Sequence, residues 1–451
     1  MSAEKDAQYE RMTSEPVSRL VVSLAIPAVV SMMITSVYSL VDTAFVGTLG
    51  TSASGAVGVV FGFMAILQAA GFMFGQGAGS ILARALGERD LQKATVHATL
   101  GFVTAFVSGL MIAVGCGLQL DRVVYLLGST PTIAPYARTY VFYILLAAPF
   151  MCSSFTLNNL LRYEGKAVLG TIGMAVGAAL NILGDLVFMF GLDMGITGAG
   201  ISTALGEFVG WCVLLSMFLR HKTSARISLR ALAYAEPLYL VDIMATGFPS
   251  MLRQALNSVN TVMLNNCCMV YGDAAVAGMS IVSRVSFFAF SFALGIGQGF
   301  QPVTGFNYGA RKFRRVREAF RFTSVAAEIV ILLACVVLFV FAEPIVSIFR
   351  DDPAVLVVGT RALRLQAVAL LALPVCVATE MLYQCTGKRL GATFLSGLRN
   401  GLLFLPLLLA LSNLRGLAGI QEAQPLAYVL SLPLTIPFIL AFFRRLPQDE
   451  E

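Results

Sequence analysis

The chain contains few charged residues and almost no histidine. Only 12% of its 451 residues are Asp, Glu, Lys or Arg, and His97 and His221 are the two histidines. A histidine-based metal centre or a Ser-His-Asp triad is therefore excluded. No GxxxxGK[ST] loop occurs, so nothing in the sequence binds ATP phosphates by a recognisable mechanism. The eight cysteines show no CxxC pair and are expected to pack as small apolar residues, so we expect no cofactor.

Apolar residues make up most of the remaining sequence. They account for 57% of the chain, and the mean hydropathy of +0.81 is higher than a water-soluble domain of this length would show. A membrane-spanning helix needs about 20 mostly apolar residues. Twelve such stretches lie at about 19–41, 53–82, 94–118, 133–158, 167–190, 195–219, 241–271, 274–304, 316–341, 355–384, 389–412 and 420–443. The sequence therefore predicts an all-α polytopic membrane protein.

The chain also contains an internal repeat. Equivalent residues of the two copies are separated along the sequence by the same number of residues, as Pro27 and Pro249 are. This repeat offset also pairs the GQG at 75–77 with the GQG at 297–299, and Gly165 with Gly387. Each copy holds six predicted spans, which return the chain to the side where it began. Two six-helix lobes related by a pseudo-twofold axis along the membrane normal are therefore expected, an arrangement typical of transporters that alternate access.

The repeat and the spans together predict the domain organisation. The expected segments are an N-terminal segment at 1–18, a first lobe at 19–219, a linker at 220–240, a second lobe at 241–445 and a tail at 446–451.

The distribution of Lys and Arg predicts the orientation in the membrane. These residues are dense before the first span, in the linker and from Arg311 to Arg321, and they are sparse in the loops on the opposite side. Because cytoplasmic loops retain Lys and Arg, both termini are expected in the cytoplasm. The Arg311–Arg321 run could alternatively bind nucleic acid, but its place between two spans already explains its sign, so no nucleic-acid partner is expected. The opening segment does not resemble a cleavable signal peptide.

Polar groups inside the predicted spans carry the chemistry, because ionisable side chains are costly there. Asn181 and Asp185 lie four residues apart on one face of span five. Asp42 lies near the outer end of span one, with Tyr38 one turn before it, and Thr203 lies in the outer part of span six. These groups could converge in the outer half of the first bundle.

Two acids that share a poorly hydrated site could act as a proton-binding switch, or could coordinate a sodium ion together with carbonyl and hydroxyl oxygens. Asp42 could alternatively be a helix-end residue that faces water. The repeat offset maps Asp42 onto Leu264 and Asp185 onto Leu407, so the shared fold does not require either acid.

Several of these motifs resemble a known family. The run Pro27–Gly47 ends in VDTAFVG, Asn181–Asp185 reads NILGD, and Gly198–Glu207 reads GAGISTALGE. With the repeated GQG, they resemble the MATE (multidrug and toxin extrusion) transporters over about residues 15–445, in particular the bacterial DinF-like and MepA-like branch. The resemblance implies an exporter of amphipathic, often cationic organic compounds in exchange for protons or sodium, with two six-helix lobes arranged in a V.

The resemblance also implies roles for particular residues. It places a cation site on Asp42, Asn181, Asp185 and Thr203, with Tyr38 and Asn158 in the supporting polar network. If the cation is sodium, Asp42, Asn181 and Asp185 are its expected ligands. Glu207, one turn from Thr203, could extend that network. Pro27 matches the proline at which the first helix of the family bends.

The second half departs from the family pattern. Some relatives carry an acid on span seven, where this chain has Arg253 and Gln254, so a second-lobe sodium site is in doubt. Glu380 on span ten could supply an acid, or it could pair with Arg253, Arg284 or Arg399. A structural ion-pair network and a substrate contact both remain open.

The leading prediction is a secondary active antiporter in the bacterial inner membrane, monomeric and not an enzyme. It would export small organic cations and drugs, with H⁺ or Na⁺ as the coupling ion. A flippase for a lipid-linked or amphipathic precursor is the nearest alternative. An intramembrane enzyme that uses Asp42 and Asp185 as an acid pair is a more remote one, because no nucleophile accompanies the acids.

Overall fold

The structure is a computed structural model that describes residues 2–220 and 222–447. His221 and residues 448–451 of the predicted tail lie outside the described residues. Helices account for nearly all of the described chain, and no strand occurs in it.

Seventeen α-helices follow one another along the described residues. In the first half they are α1 (Ser2–Ser14), α2 (Val17–Gly47), α3 (Thr51–Gly87), α4 (Leu91–Gly117), α5 (Leu120–Leu126), α6 (Ala134–Tyr163), α7 (Ala167–Gly184) and α8 (Gly195–Leu219). In the second half they are α9 (Pro237–Met269), α10 (Asp273–Gly309), α11 (Phe313–Val340), α12 (Ala342–Phe349), α13 (Pro353–Leu370), α14 (Leu373–Cys385), α15 (Arg389–Gly397), α16 (Phe404–Arg415) and α17 (Leu417–Arg444). The described part of the chain also contains two π-helical segments, Asp185–Gly191 and Leu398–Leu403, and one 3₁₀ segment, Leu229–Tyr234.

The helices confirm the predicted fold class. By length and composition, 11 of the described helical segments can cross a membrane. Helix α9 has 33 residues and corresponds to the seventh predicted span, but it is more polar because it carries Asp242, Arg253 and several asparagines. The stretch predicted at 355–384 consists of α13 and α14, which are separated at Leu371 and Ala372, just before Pro374. The protein is a multi-pass membrane protein.

The repeat is present in the backbone as well as in the sequence. Helices α3 and α10 both have 37 residues, and each begins and ends at positions that the repeat offset makes equivalent. Three pairs of residues with left-handed backbone conformation lie at equivalent places in the two copies. They are Gly50 (φ 114°) with Gly272 (φ 86°), Arg89 (φ 61°) with Arg311 (φ 59°), and Gly165 (φ 83°) with Gly387 (φ 79°). The residues that match across the repeat therefore include those that fix the turns between helices.

The chain forms two compact units. Unit 1 comprises Met1–Ser14 and Val30–Met251, and unit 2 comprises Glu15–Val29 and Leu252–Glu451. The first part of α2 thus belongs to unit 2, and the first part of α9 belongs to unit 1. Each boundary lies just after one of the equivalent prolines, Pro27 and Pro249. The domain boundaries predicted from the sequence follow chain order and therefore do not include this exchange of segments.

The last glycine of each GQG motif allows the exchanged segment to pack closely within its unit. In unit 1, a Cβ atom added at Gly77 would lie less than 3.0 Å from the carbonyl oxygen of Ile243, on the first part of α9. In unit 2, a Cβ atom at the equivalent Gly299 would lie equally close to the backbone nitrogen of Ala25, on the first part of α2. Because the obstructing atoms are backbone, a side chain at either position would force the helices apart.

The substitution Gly77→Ala should therefore destabilise unit 1. The new methyl group would displace α9 from α3, at a cost of about 1–3 kcal/mol in the free energy of unfolding. Gly62→Ala on the same helix is the matched control, because nothing lies within 4 Å of its added Cβ. Thermal unfolding of the purified protein should show a lower midpoint for Gly77→Ala and an unchanged or slightly higher one for Gly62→Ala. Equal midpoints for the two variants would contradict this packing.

Glu164 joins three segments of unit 1 at the end of α6. Its buried Oε1 accepts hydrogen bonds from the backbone N–H groups of Ser224 and Ala225, the latter at 3.3 Å. Its own carbonyl oxygen accepts from Nε2 of Gln8 on α1 at 2.6 Å. Burial raises the pKa of the Glu164 carboxyl to about 7, although Lys166 and the two N–H groups act in the opposite direction.

This raised pKa predicts how stability depends on pH. The folded protein holds the Glu164 proton more tightly than the unfolded chain does, so the associated stability is present in acid and is lost as pH rises towards about 7. The melting temperature should fall between about pH 5 and pH 8, and this fall should be smaller in Glu164→Gln. Glu88→Gln, which alters an exposed carboxyl at the end of α3, should keep the wild-type dependence. The prediction fails if both variants follow the wild-type curve.

Candidate functional site

Four elements of unit 1 bring polar side chains into the interior of the bundle. Helix α2 supplies Tyr38 and Asp42, and α6 supplies Tyr140. Asn181 lies on α7, and Asp185 is the first residue of the π-helical segment that follows it. Helix α8 supplies Ser202, Thr203 and Glu207. The side chains of Asp42 and Asp185 are 2% and 0% exposed, so the structure does not place Asp42 at a water-facing helix end. Burial of two acids in a membrane bundle requires polar partners, and neighbouring helices supply them.

Tyr140 connects Asp42 to the rest of the cluster. Its buried hydroxyl donates to the two carboxylate oxygens of Asp42 at 3.2 and 3.1 Å, and it lies 3.2 Å from Oγ1 of Thr203. One hydroxyl thus bridges α2 and α8 from α6. Sequence reasoning missed Tyr140, because it lies in an apolar run with other tyrosines and nothing nearby distinguishes it.

Asn181 and Asp185 are held by two adjacent residues of α8. Nδ2 of Asn181 donates to Oγ1 of Thr203 at 2.9 Å, and the Ser202 hydroxyl donates to Oδ1 of Asp185. The Thr203 hydroxyl itself donates back to the carbonyl oxygen of Ala199 at 2.9 Å. Ser202 was also missed by sequence reasoning, although it stands beside Thr203 in the GAGISTALGE motif.

Two oxygen atoms of this cluster have no hydrogen-bond partner among the described residues. They are Oδ1 of Asn181 and Oδ2 of Asp185, both buried. Hard cations take oxygen ligands, and a proton needs only one such oxygen, so the donor set fits either a sodium ion or a proton. In the described part of the chain, no group of three or more His, Cys, Asp and Glu side chains could hold a metal ion.

The backbone changes its helical form at Asp185. Helix α7 continues as the π-helical segment Asp185–Gly191, and the N–H of Leu192 bonds the carbonyl oxygen of Val187 at 2.8 Å. Short π-helical insertions occur frequently at functional sites, because they turn side chains away from the regular helical register. Here the change of register begins at one of the two buried acids.

A cavity of about 270 Å³ adjoins the cluster within unit 1. Tyr38, Asn181, Thr203 and Glu207 lie in its wall. Much of the remaining lining consists of apolar groups from α3, α6, α7 and α8, among them Phe61, Met64, Met151, Phe155 and Met174. The cavity is near the lower end of the sizes common for small-molecule sites, and it has their usual apolar lining with a few polar groups.

Two of the other predicted site residues lie away from the cluster. Asn158 lies against Gly170, where an added Cβ would be 2.8 Å from its Nδ2. It stands about five helical turns, or roughly 27 Å, from Tyr140 along α6. Pro27 lies inside α2 in the part that belongs to unit 2. Their assigned roles stay predictions.

In unit 2, the structure gives the predicted charged residues different environments. Nη1 of Arg253 lies 2.5 Å from Oε1 of Glu380, and both side chains are buried. Arg399 is also buried, whereas Arg284 is exposed on α10. Gln254 is half-buried next to Arg253. Of the three arginines considered as partners for Glu380, Arg253 forms the ion pair.

A known protein family matches each of the two copies of the repeat. The MatE family model matches residues 27–187 and again residues 249–409, so the two matches begin and end at equivalent positions of the two copies. Among curated proteins, the chain is 26% identical over 367 residues to the multidrug export protein MepA of Staphylococcus saprophyticus, which covers 81% of this chain and 80% of that protein.

Solved structures share the fold. A MOP superfamily transporter from Pyrococcus furiosus superposes with a TM-score of 0.89 at 24% identity, over 96% of this chain and 97% of that one. A mutant of the Vibrio cholerae MATE transporter VcmN gives a TM-score of 0.89 at 22% identity, over 95% and 97% of the two chains.

Removal of the Tyr140 hydroxyl should destabilise unit 1. Tyr140→Phe would leave the buried Asp42 carboxylate without its donor, which should cost about 1–3 kcal/mol in the free energy of unfolding. Tyr143→Phe, one turn further along α6, is the matched control, because its hydroxyl has no hydrogen bond among the described residues. We expect a clear drop in the thermal midpoint for Tyr140→Phe alone. Similar midpoints for both variants would show that the bridge adds no stability.

Proposed function

Since the chain belongs to the MatE family of transporters, we propose that it is a secondary active exporter of amphipathic, mostly cationic organic compounds. A proton or sodium gradient would drive it through the carboxylate site of unit 1. Members of this family are transporters and not enzymes, which removes the acid-pair enzyme from consideration. Multidrug export, as in the name of the MepA relatives, supports small organic compounds as substrates.

The buried cluster of two acids with two unpartnered oxygens is the observation that carries this proposal. Asp42 and Asp185 have only hydroxyl donors in the described part of the structure, and no positively charged side chain pairs with either. A charge buried without a counter-charge is strongly unfavourable, so each acid has a strong tendency to take up a cation. Binding of an ion at such a site can couple the ion gradient to transport.

The surrounding hydroxyls can adapt to either state of the acids. When Asp42 is charged, the Tyr140 hydroxyl donates to it. When Asp42 is protonated, its own O–H can donate, and the Tyr140 hydroxyl can turn to Oγ1 of Thr203, 3.2 Å away. Ion uptake would therefore change the bonds between α2, α6 and α8. Bending of α2 at Pro27, where the proline removes a backbone donor, would carry this change along the helix.

The cavity beside the cluster supports organic cations as substrates. Its Met and Phe side chains suit varied apolar shapes, and the Glu207 carboxyl would supply a countercharge in the wall. Three residues, Tyr38, Asn181 and Thr203, line the cavity and also lie in or beside the cluster. A substrate and a coupling ion would therefore compete for the same groups. The protein would work as a monomer in the bacterial inner membrane, with both termini in the cytoplasm.

Gradient-driven transport tests the proposal directly. Purified protein in proteoliposomes should move ethidium against its gradient when either a proton or a sodium gradient is imposed, and the effective gradient identifies the coupling ion. Asp42→Asn and Asp185→Asn should each lower the initial rate by about tenfold or more, because they remove the group that couples the ion to transport.

Glu328→Gln is the matched control, because it removes a carboxyl from within a span of unit 2 that is not part of the cluster. It should transport at close to the wild-type rate. Wild-type activity in Asp185→Asn would overturn the assignment of the coupling site. A lack of ethidium transport under both gradients, with translocation of long-chain amphiphiles instead, would favour the flippase.

A further inference from the structure

The buried charges of unit 2 leave a net charge opposite in sign to that of the acid cluster in unit 1. Unit 1 places the acids Asp42 and Asp185 in its interior cluster. Among the described residues, unit 2 buries two arginines, Arg253 and Arg399, and one acid, Glu380. Because the Arg253–Glu380 ion pair at 2.5 Å is electrically neutral, one positive charge remains, on Arg399.

The surroundings of Arg399 contain no countercharge. The side chain is only 7% exposed, and no carboxylate lies within ion-pair distance of it among the described residues. Its Nε donates to Oδ1 of Asn400 at 3.3 Å, a neutral partner. No described residue accepts a hydrogen bond from its two terminal nitrogens, which have four N–H groups.

Two aromatic rings hold the guanidinium group. Its central carbon lies 5.2 Å from the ring centre of Phe290 on α10 and 5.5 Å from that of Tyr428 on α17. Ring faces stabilise an arginine cation without occupying the N–H groups at its edge. A guanidinium held in this way keeps its donors available for a planar anion.

The shared fold does not explain this charge. The repeat offset maps Arg399 onto Gly177, Arg253 onto Ser31 and Glu380 onto Asn158. Arg399 lies in the π-helical segment Leu398–Leu403, whose equivalent in unit 1 is regular α-helix. Both the residue and its local backbone are therefore specific to the second half, as Asp42 and Asp185 are to the first.

We propose that Arg399 binds the anionic group, a carboxylate or a phosphate, of an amphipathic organic ligand in unit 2. An arginine fork can form two parallel hydrogen bonds to such a group, and desolvation strengthens them. A ligand of this kind supplies the countercharge that the protein itself lacks. The ligands of the protein then include compounds with an anionic group, beyond the organic cations proposed above.

Equilibrium binding tests this site without an ion gradient, so its outcome is independent of whether unit 1 couples transport to an ion. Rhodamine 110 carries a free carboxyl group, and rhodamine 123 is its methyl ester. Binding of the two dyes is measured by fluorescence polarisation on protein in phosphatidylcholine nanodiscs, with empty discs subtracted. For the wild type, we expect rhodamine 110 to be displaced by octanoate and not by octanol.

Substitution at Arg399 should act on one dye alone. Arg399→Gln should weaken rhodamine 110 binding by about tenfold and leave rhodamine 123 almost unchanged, and Arg399→Lys should give an intermediate loss. Arg364→Gln is the matched control, because Arg364 also lies over an aromatic ring, that of Phe339, but is exposed. It should bind both dyes as the wild type does.

Several results would overturn the proposal. Equal displacement by octanoate and octanol in the wild type would do so even if Arg399→Gln failed to fold. Equal effects of Arg399→Gln on both dyes, or no effect on either, would do so as well. Discs that contain phosphatidylglycerol identify the source of the anion. If this lipid competes with rhodamine 110 only when Arg399 is present, a lipid phosphate occupies the site.

Discussion

The cost of removing charge from water determines how this protein is built. Every ionisable side chain inside the bundles needs a partner, and the two units meet this requirement in different ways. Unit 1 surrounds Asp42 and Asp185 with hydroxyl and amide groups and, in the part of the chain that the structure describes, leaves two oxygens of the cluster without hydrogen-bond partners. Unit 2 neutralises Glu380 with Arg253 and places Arg399 between aromatic rings. In both units, the incompletely satisfied charge marks the place where a ligand has most to contribute.

The repeat separates the residues that form the framework from those that carry chemistry. Positions that match across the two copies include left-handed turns and close helix contacts, such as Gly50 and Gly77. The buried charges do not match, and each of the two candidate sites coincides with a π-helical segment found in only one half. Duplication thus supplied one framework twice, and the departures from it distinguish the functions of the two halves.

The sequence was sufficient to predict the fold class and much of the cluster in unit 1. Apolar runs indicate the spans, and constant spacing reveals the repeat. The four-residue spacing between Asn181 and Asp185 also predicts that they lie on one face of a helix. Tyr140 could not be found in this way, because its role depends on the rotation of α6 relative to α2. For the same reason, sequence alone could not separate the exposed Arg284 from the buried Arg399, and no local signal indicates a π-helical insertion.

The exchange of helix segments bears on the origin of the duplicated chain. Unit 1 includes residues 237–251 from the second repeat, and unit 2 includes residues 15–29 from the first. A single repeat would therefore leave one helix segment without its packing surface and one surface without its segment. Two identical copies could satisfy both requirements by exchanging these segments, as domain-swapped dimers do. The geometry is that expected if an ancestral swapped homodimer became one chain through gene fusion, which preserved the exchange as a covalent link between the two units.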